Sequence, residues 1–300
     1  MPKLSGLLHR GWSLAKQSVL SFIDDNALSK GASIAFYMVT SIAPVLMIVI
    51  AIAGIAFGDA AAQGAITSDL SGLIGNQSAE LLQTVVESAS GRFSGVIAST
   101  IGLVTLIVTA SGVFGEMQSA LNEIWRVPPQ RLTFGRYFKA RAASLGLVAA
   151  LGILVLASLV LSTTLTAFSN YLDFYHPLEH ILLLVLNVVV SFIFTSTLFA
   201  AIYKILPDTP LQWRDVLVGG VATAVLFEIG KSLIGLYIGS STFISSYGAA
   251  AGLIVLLLWI YYSAQIFLLG AEFTKAYAVR TGSKQGTPEA TALKQPDPSQ

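Results

Sequence analysis

Residues 249–277, AAAGLIVLLLWIYYSAQIFLLGAEFTKAY, decide the fold of this chain. The stretch is apolar over more than the roughly 20 residues that a helix needs to cross about 30 Å of hydrocarbon. It carries no charge before Glu272, and Tyr261 and Gln265 fall on the same helical side as that carboxylate. We therefore predict a transmembrane helix with a polar stripe.

The composition of the whole chain agrees with that prediction. Hydrophobic residues make up 54% of the 300 residues and charged residues only 11%, against about 25% in an ordinary globular domain. The mean hydropathy is +0.74, so a soluble fold is excluded. The chain has no cysteine, which excludes disulfides and thiolate chemistry. A net charge of +1 provides no general attraction to nucleic acid.

Five further stretches are long and apolar enough to cross a membrane. We expect an all-α, polytopic membrane protein with six transmembrane helices, at Ala32–Phe57, Phe93–Ile124, Ala140–Phe168, His180–Leu206, Val216–Ile238 and Ala249–Tyr277. Basic residues set the orientation, since cytoplasmic loops carry the excess of Lys and Arg. All of the 17 basic residues except Arg92 and Lys231 fall on one side, which predicts that both termini are cytoplasmic.

The segments outside the spans have separate characters. Residues 1–30 interleave apolar and basic side chains and predict a cytoplasmic amphipathic helix on the membrane surface. Residues 31–280 form the transmembrane domain. Its outer connection, 58–92, predicts a helical hairpin, broken at Gly75-Asn76, that caps the bundle or rests on lipid headgroups. Residues 281–300 lack apolar periodicity and predict a disordered cytoplasmic tail.

Ionisable and amide side chains inside the spans are the candidates for function, because such groups avoid lipid. Glu116 and Glu123 share a face of the second span, while Glu228 and Lys231 of the fifth are spaced to pair. That pair is equally well interpreted as a structural lock of the bundle or as part of a site for a polar substrate or ion. The pathway candidates are Glu116, Glu123, Glu228, Lys231, Gln265, Glu272, Asn187 and Tyr37.

Other chemistries find little support in the sequence. The chain has no phosphate-binding loop, nucleophile elbow or HExxH motif, so we expect no catalytic residues, no metal, no cofactor and no enzymatic activity. The basic connection after the second span interleaves cations with aromatic side chains. Nucleic acid is a conceivable ligand there, but anionic lipid headgroups are the simpler expectation. The residues concerned are Arg126, Arg131, Arg136, Lys139 and Arg141.

Several strings resemble one known family. They are the Asp24-Asp25 pair followed by KGASIAFYMVTSIAPVL, then GVFGEMQSALNEIWRV, LPDTPLQWRDVLVGGVATAVLFEIGKSLIGLYI and SSYGAAAGLIVLLLWIYYSAQIFLLGAEFTKAYA. Over residues 20–280, their order and spacing are similar to the YihY/BrkB family of bacterial inner-membrane proteins. The resemblance implies a cytoplasmic-membrane protein of unsettled function. The family's former label, ribonuclease BN, conflicts with the absence of clustered His and Asp ligands in an aqueous domain.

Two functional hypotheses follow from these features. The first is a transporter, or a translocator of lipids or other amphiphiles, with a polar intramembrane pathway and protonation of Glu116 as the coupling device. The alternative is a scaffold for envelope assembly or integrity that transports nothing. The expected partners are membrane lipids, including anionic headgroups, and a homo-oligomer is compatible with the sequence. Substrate identity cannot be inferred from these residues.

Overall fold

A computed structural model of the protein describes residues 2–57, 64, 71, 76–90, 112–128, 177–240 and 251–285. The regular structure in these ranges is helical throughout, which confirms the all-α part of the predicted fold class for the described residues. The helices are α1 (Pro2–Asp24), α2 (Ala27–Phe57), α3 (Asn76–Ser90), α4 (112–124), α5 (Pro177–Ile205), α6 (Trp213–Ser240) and α7 (Ala251–Arg280).

Three of these helices contain stretches long and apolar enough to cross a membrane, within the residues described. The stretches are Val188–Ile205 in α5, Trp213–Leu236 in α6 and Ala251–Arg280 in α7. They agree with the fourth, fifth and sixth predicted spans to within a few residues, except that the apolar stretch of α5 begins later. The first predicted span lies inside α2, and α4 ends at Ile124 as the second does. The third, Ala140–Phe168, lies outside the described residues.

Helix α7 is the centre of the described bundle. It packs against α1, α2, α3 and α6, and α6 packs in turn against α5. Leu268 and Ala271 are completely buried within it, and many of its remaining residues are buried as well. A helix that is apolar nearly all round is favourable only where other helices or lipid surround it, so α7 is the element around which the others are arranged.

Small residues allow α6 and α7 to approach closely. A methyl group at Gly219 would clash with the Thr274 hydroxyl, and one at Gly270 would clash with the Thr223 hydroxyl. Residue numbers therefore rise along α6 as they fall along α7, so that the helices are antiparallel. Tyr203 of α5 joins the contact by donating a hydrogen bond to the Phe267 carbonyl at 2.7 Å. Such close contacts are typical of packing between membrane helices.

Helix α3 belongs to the predicted outer connection and packs near the beginning of α7. It starts at Asn76, the predicted break point. Ser78 Oγ donates to the Gly252 carbonyl at 2.9 Å, and Leu82 packs in a cluster with Leu256 and Ile260. Most of the first half of the hairpin lies outside the described residues, so a cap at the outer mouth stays a prediction.

Both terminal segments contact the same end of the bundle. Arg280 at the end of α7 donates to Ser13 of α1 at 2.9 Å. The following residues turn back, and the Ser283 amide donates to the buried carboxylate of Asp215 at 3.2 Å. Residues 286–300 of the predicted tail lie outside the described residues. Helix α1 exposes large apolar side chains, namely Trp12, Val19, Leu20 and Ile23.

Candidate functional site at the end of the bundle

The junction between α1 and α2 places a carboxylate inside the bundle. Asn26 adopts a left-handed backbone conformation with φ of 52°, which Asn tolerates better than most residues. This conformation ends α1 and lets α2 begin at once at Ala27. The preceding residue, Asp25, has a side chain only 3% exposed, and its Oδ1 accepts a hydrogen bond from Arg126 Nη2 at 2.6 Å. The turn thus presents Asp25 to the neighbouring segments.

The end of α4 supplies the partner of Asp25. Arg126 also has φ of 52°, and the Val127 amide donates back to the Asn122 carbonyl at 2.8 Å. This pattern is a Schellman termination, in which Gly usually takes the left-handed position. Here Arg126 takes that position instead, at a cost of about 1 kcal/mol. In the described chain, the non-Gly residues with positive φ are Asn26 and Arg126, and both adjoin or belong to this ion pair.

A second ion pair links the same two regions. Lys30 Nζ of α2 lies 2.8 Å from Glu123 Oε1 of α4, and it also donates to the Asp25 carbonyl. The two pairs differ in their surroundings, since the Glu123 side chain is 55% exposed whereas that of Asp25 is buried. Together they fasten the α1–α2 junction to the end of α4.

Helix α7 contributes the most buried charge of the site. Glu272 is 1% exposed and Lys275, one turn further on, is 9% exposed. The charged groups that interact electrostatically with the Glu272 carboxyl are Asp25, Lys275 and Arg126. We call these six residues the charged cluster: Asp25, Lys30, Glu123, Arg126, Glu272 and Lys275.

Several oxygens in and beside the cluster are buried without a donor. Asp25 Oδ2 and both oxygens of Glu272 accept no hydrogen bond from any described residue. Two turns away on α7, Gln265 Oε1 is also buried and accepts no hydrogen bond from the described residues. The Nε2 of the same side chain donates to the Leu28 carbonyl at 3.3 Å. We call Gln265, Glu272 and Asp25 the acceptor row. Leaving each such group unsatisfied costs about 1–3 kcal/mol, so the row is unfavourable for folding alone.

The predicted pathway residues are distributed over two regions. Glu123, Gln265 and Glu272 lie in or beside the charged cluster. Glu228 and Lys231 of α6 pair with each other at 2.8 Å and have side chains 39% and 38% exposed. The ion pairs found among the described residues connect neither of these two side chains to the cluster.

The other predicted candidates lie elsewhere on the bundle. Glu116 is half-buried in α4, and no described residue forms an ion pair with it. Tyr37 of α2 is exposed in part, and its ring packs against Gly112 at the start of α4. Asn187 belongs to α5, but its side chain lies outside the described part. Of the predicted lipid-headgroup contacts, Arg126 is engaged with Asp25, while Arg131, Arg136, Lys139 and Arg141 lie outside the described residues.

Sequence reasoning missed Asp25, Lys30 and Lys275 as site residues. They fall outside the polar stripes of the spans or near span ends, where charged residues are common. The signal that could have identified Asp25 is the Asp24-Asp25-Asn26 sequence, because a turn-forming Asn marks a helix break that can direct its neighbour inward. A further missed contact is Asp208, which accepts hydrogen bonds from Asn122 at 2.9 Å and Gln118 at 3.2 Å.

These features define an α-helical integral membrane protein with ionisable groups buried at one end of its bundle. The model of the family described as virulence factor BrkB matches residues 19–294, and the chain belongs to that family.

Curated relatives of this chain are named as membrane proteins, which supports the membrane assignment. A UPF0761 membrane protein of Ralstonia nicotianae is 33% identical over 253 residues, which are 83% of this chain and 55% of that protein. A UPF0761 membrane protein of Rhodospirillum centenum is 26% identical over 275 residues, covering 91% of this chain and 59% of the relative. The chain therefore spans less than two thirds of the length of these relatives. No solved structure matches.

Proposed function

We propose that this protein is a translocator of the bacterial inner membrane, with six transmembrane helices and both termini in the cytoplasm. Its cargo would be a phospholipid-like amphiphile, and it would act by transport rather than by catalysis. The distribution of basic residues supports the orientation, since it would place the charged cluster at the cytoplasmic face. The exposed apolar side chains of α1 support a surface-bound amphipathic helix beside that cluster.

The acceptor row is the single observation that carries this proposal. A protein that only held a membrane assembly together would gain stability if Gln265, Glu272 and Asp25 were replaced by apolar residues of similar size, because buried ionic groups seldom improve on a packed apolar core. Ionisable groups kept inside a membrane domain at such a cost mark pathways and binding sites as a rule. Gln265 and Glu272 lie two turns apart on α7, and Gln265 contacts Leu28 and Gly31 of α2.

The chemistry of the row indicates the class of cargo. The buried side-chain oxygens of Gln265 and Glu272 accept no hydrogen bond from the described residues, and such acceptors suit hydroxyl or ammonium groups. Lys275 and Arg126 beside them are cations, and Arg in particular binds phosphate well. A headgroup that joins a phosphate to a hydroxyl or an ammonium satisfies both sets at once. A glycerophospholipid headgroup has that composition.

A lipid-translocation assay tests the proposal. The purified protein is reconstituted in vesicles of phosphatidylethanolamine and phosphatidylglycerol that contain acyl-labelled fluorescent phosphatidylethanolamine, and dithionite then bleaches the outer leaflet. We expect the wild type to bring inner-leaflet label to the outside, and Gln265→Leu to slow this about tenfold, as the loss of one good polar contact would. Glu80→Gln, on an exposed position of α3, is the control and should translocate normally.

The scaffold hypothesis makes the opposite prediction in this assay. Its supporting observation is the Glu228–Lys231 pair, which satisfies itself within α6 as a structural pair would. If wild-type vesicles bleach no faster and no further than empty ones, translocation of this lipid class is wrong. Gln265→Leu is expected to fold at least as well as the wild type, so slow transport by that variant would not reflect misfolding.

A further inference from the structure

Helix α1 turns polar side chains toward the bundle and apolar ones away from it. Ser18 is 2% exposed, and its hydroxyl donates to the Leu14 carbonyl at 2.8 Å. Ser13 accepts a hydrogen bond from Arg280 of α7, and Gln17 Oε1 is buried without a donor among the described residues. A helix on the surface of a soluble protein has the opposite arrangement, because it buries its apolar stripe.

The side of α1 that faces away from the bundle is an apolar stripe around one cation. We call it the outer face of α1, and it consists of Trp12, Lys16, Val19, Leu20 and Ile23, all exposed. The helical period places these five residues within about a third of the circumference. Among the described residues, no carboxylate pairs with Lys16. Such a face is unfavourable in water and requires an apolar partner that accepts a positive charge.

Helix α1 runs along α7 and does not lie across its end. Arg280 donates to Ser13 at 2.9 Å, and Gln265 donates to the Leu28 carbonyl at 3.3 Å. From the first contact to the second, the chain advances by as many residues as α7 recedes, which is on the order of 20 Å of helix. A helix lying flat on the membrane surface would meet α7 at one level only.

The neighbouring helix α6 shows where the membrane boundary passes. Its apolar stretch begins at Trp213, which is exposed, and the Lys204 ammonium lies 5.7 Å from the centroid of that ring. Exposed Trp beside a cation is typical of the membrane–water interface. Asp215 in the first turn of α6 accepts a hydrogen bond from Ser283, so this boundary passes near the end of α7. Because α1 contacts α7 from Arg280 inward, its outer face lies on the lipid side of the boundary.

We propose that the outer face of α1 is a binding surface for anionic phospholipids of the surrounding leaflet. The acyl chains contact its apolar side chains, and the anionic headgroup pairs with Lys16. The stripe carries a cation and no acid, so charge complementarity favours anionic lipid over a second copy of the same stripe. The surface continues into α2, where Leu28 and Phe36 are also exposed. This lipid contact goes beyond the proposed function and does not depend on it.

Site-specific quenching by labelled lipids tests the proposal. Since the chain has no cysteine, Val19→Cys can be labelled uniquely with a nitrobenzoxadiazole fluorophore. The labelled protein is reconstituted in phosphatidylcholine vesicles that contain either phosphatidylglycerol or phosphatidylcholine with a nitroxide on an acyl chain. We expect both lipids to quench, with half-quenching at an about fivefold lower mole fraction of phosphatidylglycerol, the factor that one Lys near an anionic surface supplies. Ile23→Cys provides a second position if the first variant does not fold.

Substitutions of Lys16 separate the headgroup contact from the acyl-chain contact. Lys16→Gln should keep the quenching but lose the preference for phosphatidylglycerol, whereas the matched control Lys16→Arg should keep both. A preference that is absent in the parent protein, or that survives in Lys16→Gln, would overturn the assignment of the headgroup to Lys16.

The absence of quenching at both labelled positions would overturn the lipid contact itself. Excimer emission from pyrene-labelled Val19→Cys, without quenching by either lipid, would assign the outer face of α1 to a second copy of the chain instead. None of these measurements follows lipid movement between leaflets, so their failure is distinct from failure in the translocation assay.

Discussion

Two pairs of ionisable side chains in this protein have opposite character. Glu228 and Lys231 are opposite charges on one helix, 2.8 Å apart, and their side chains are partly exposed on α6. Asp25 and Glu272 have charge of the same sign, come from distant parts of the sequence and are both buried in the charged cluster. The first pair satisfies itself, and the second leaves three oxygens without a donor among the described residues.

The difference separates a structural arrangement from a functional one. An opposite-charge pair within one helix needs no other element, so it lets an otherwise costly charge remain in a span. A like-charge pair has no such benefit, and its members would be more stable apart. Removing one partner should therefore change the free energy of unfolding in opposite directions in the two pairs. Removing one partner should destabilise the α6 pair, whereas Glu272→Gln removes a repulsion.

The largest effect is expected where the like-charge pair loses its compensating cation. Arg126→Met removes the donor to Asp25 Oδ1 and leaves that buried carboxylate without its cationic partner. We expect a loss of about 2–3 kcal/mol in the free energy of unfolding, because breaking a buried pair strands its other charge. Because the Arg126 side chain is more than half exposed, we expect this loss to lie at or below the lower end of the range for broken buried ion pairs. Denaturant unfolding in detergent micelles measures it.

Arg126→Lys is the matched control for this substitution. It keeps a positive charge and an unbranched side chain at the same left-handed position, so the backbone strain is unchanged. We expect it to retain most of the stability that Arg126→Met loses. Equal losses in the two variants would mean that the guanidinium geometry, rather than the charge, matters at Asp25.

The α6 pair should show a smaller loss and a clear rescue. Lys231→Met strands Glu228 in an apolar helix, for which we expect about 2 kcal/mol of destabilisation. Adding Glu228→Gln removes the stranded charge and should restore stability to within about 1 kcal/mol of the wild type. The measurement is a double-mutant cycle on unfolding. Additive losses would show that the two side chains do not act as a pair.

The helices α5, α6 and α7 were predictable from hydropathy, for a simple physical reason. Crossing the hydrocarbon requires a continuous apolar stretch, and the sequence of α7 has almost no polar interruption before Glu272. The predicted span Ala249–Tyr277 therefore agrees with α7 at Ala251–Arg280. The grouping of Gln265 with Glu272 on one side was likewise accessible, because seven residues are close to two helical turns.

The meeting of Asp25 with Glu272 was not accessible in this way. It depends on the register at which α2 packs against α7, in which Gln265 contacts both Leu28 and Gly31. Such registers result from side-chain packing between helices far apart in sequence, and a periodicity within one helix carries no information about them. Glu116 attracted attention as the deeper acid of its stripe, yet it takes no part in the charged cluster.

The smallest effect should come from the exposed member of the charged cluster. Glu123→Gln breaks the ion pair with Lys30, but Lys30 Nζ keeps the Asp25 carbonyl as an acceptor. Because Glu123 is largely exposed, we expect less than about 1 kcal/mol of destabilisation and a further decrease of the effect at high salt. Unfolding at low and high ionic strength measures both. A loss as large as that of Arg126→Met would show that the two links from α4 to the α1–α2 junction act as one unit, and the distinction between buried and exposed pairs would then fail in this cluster.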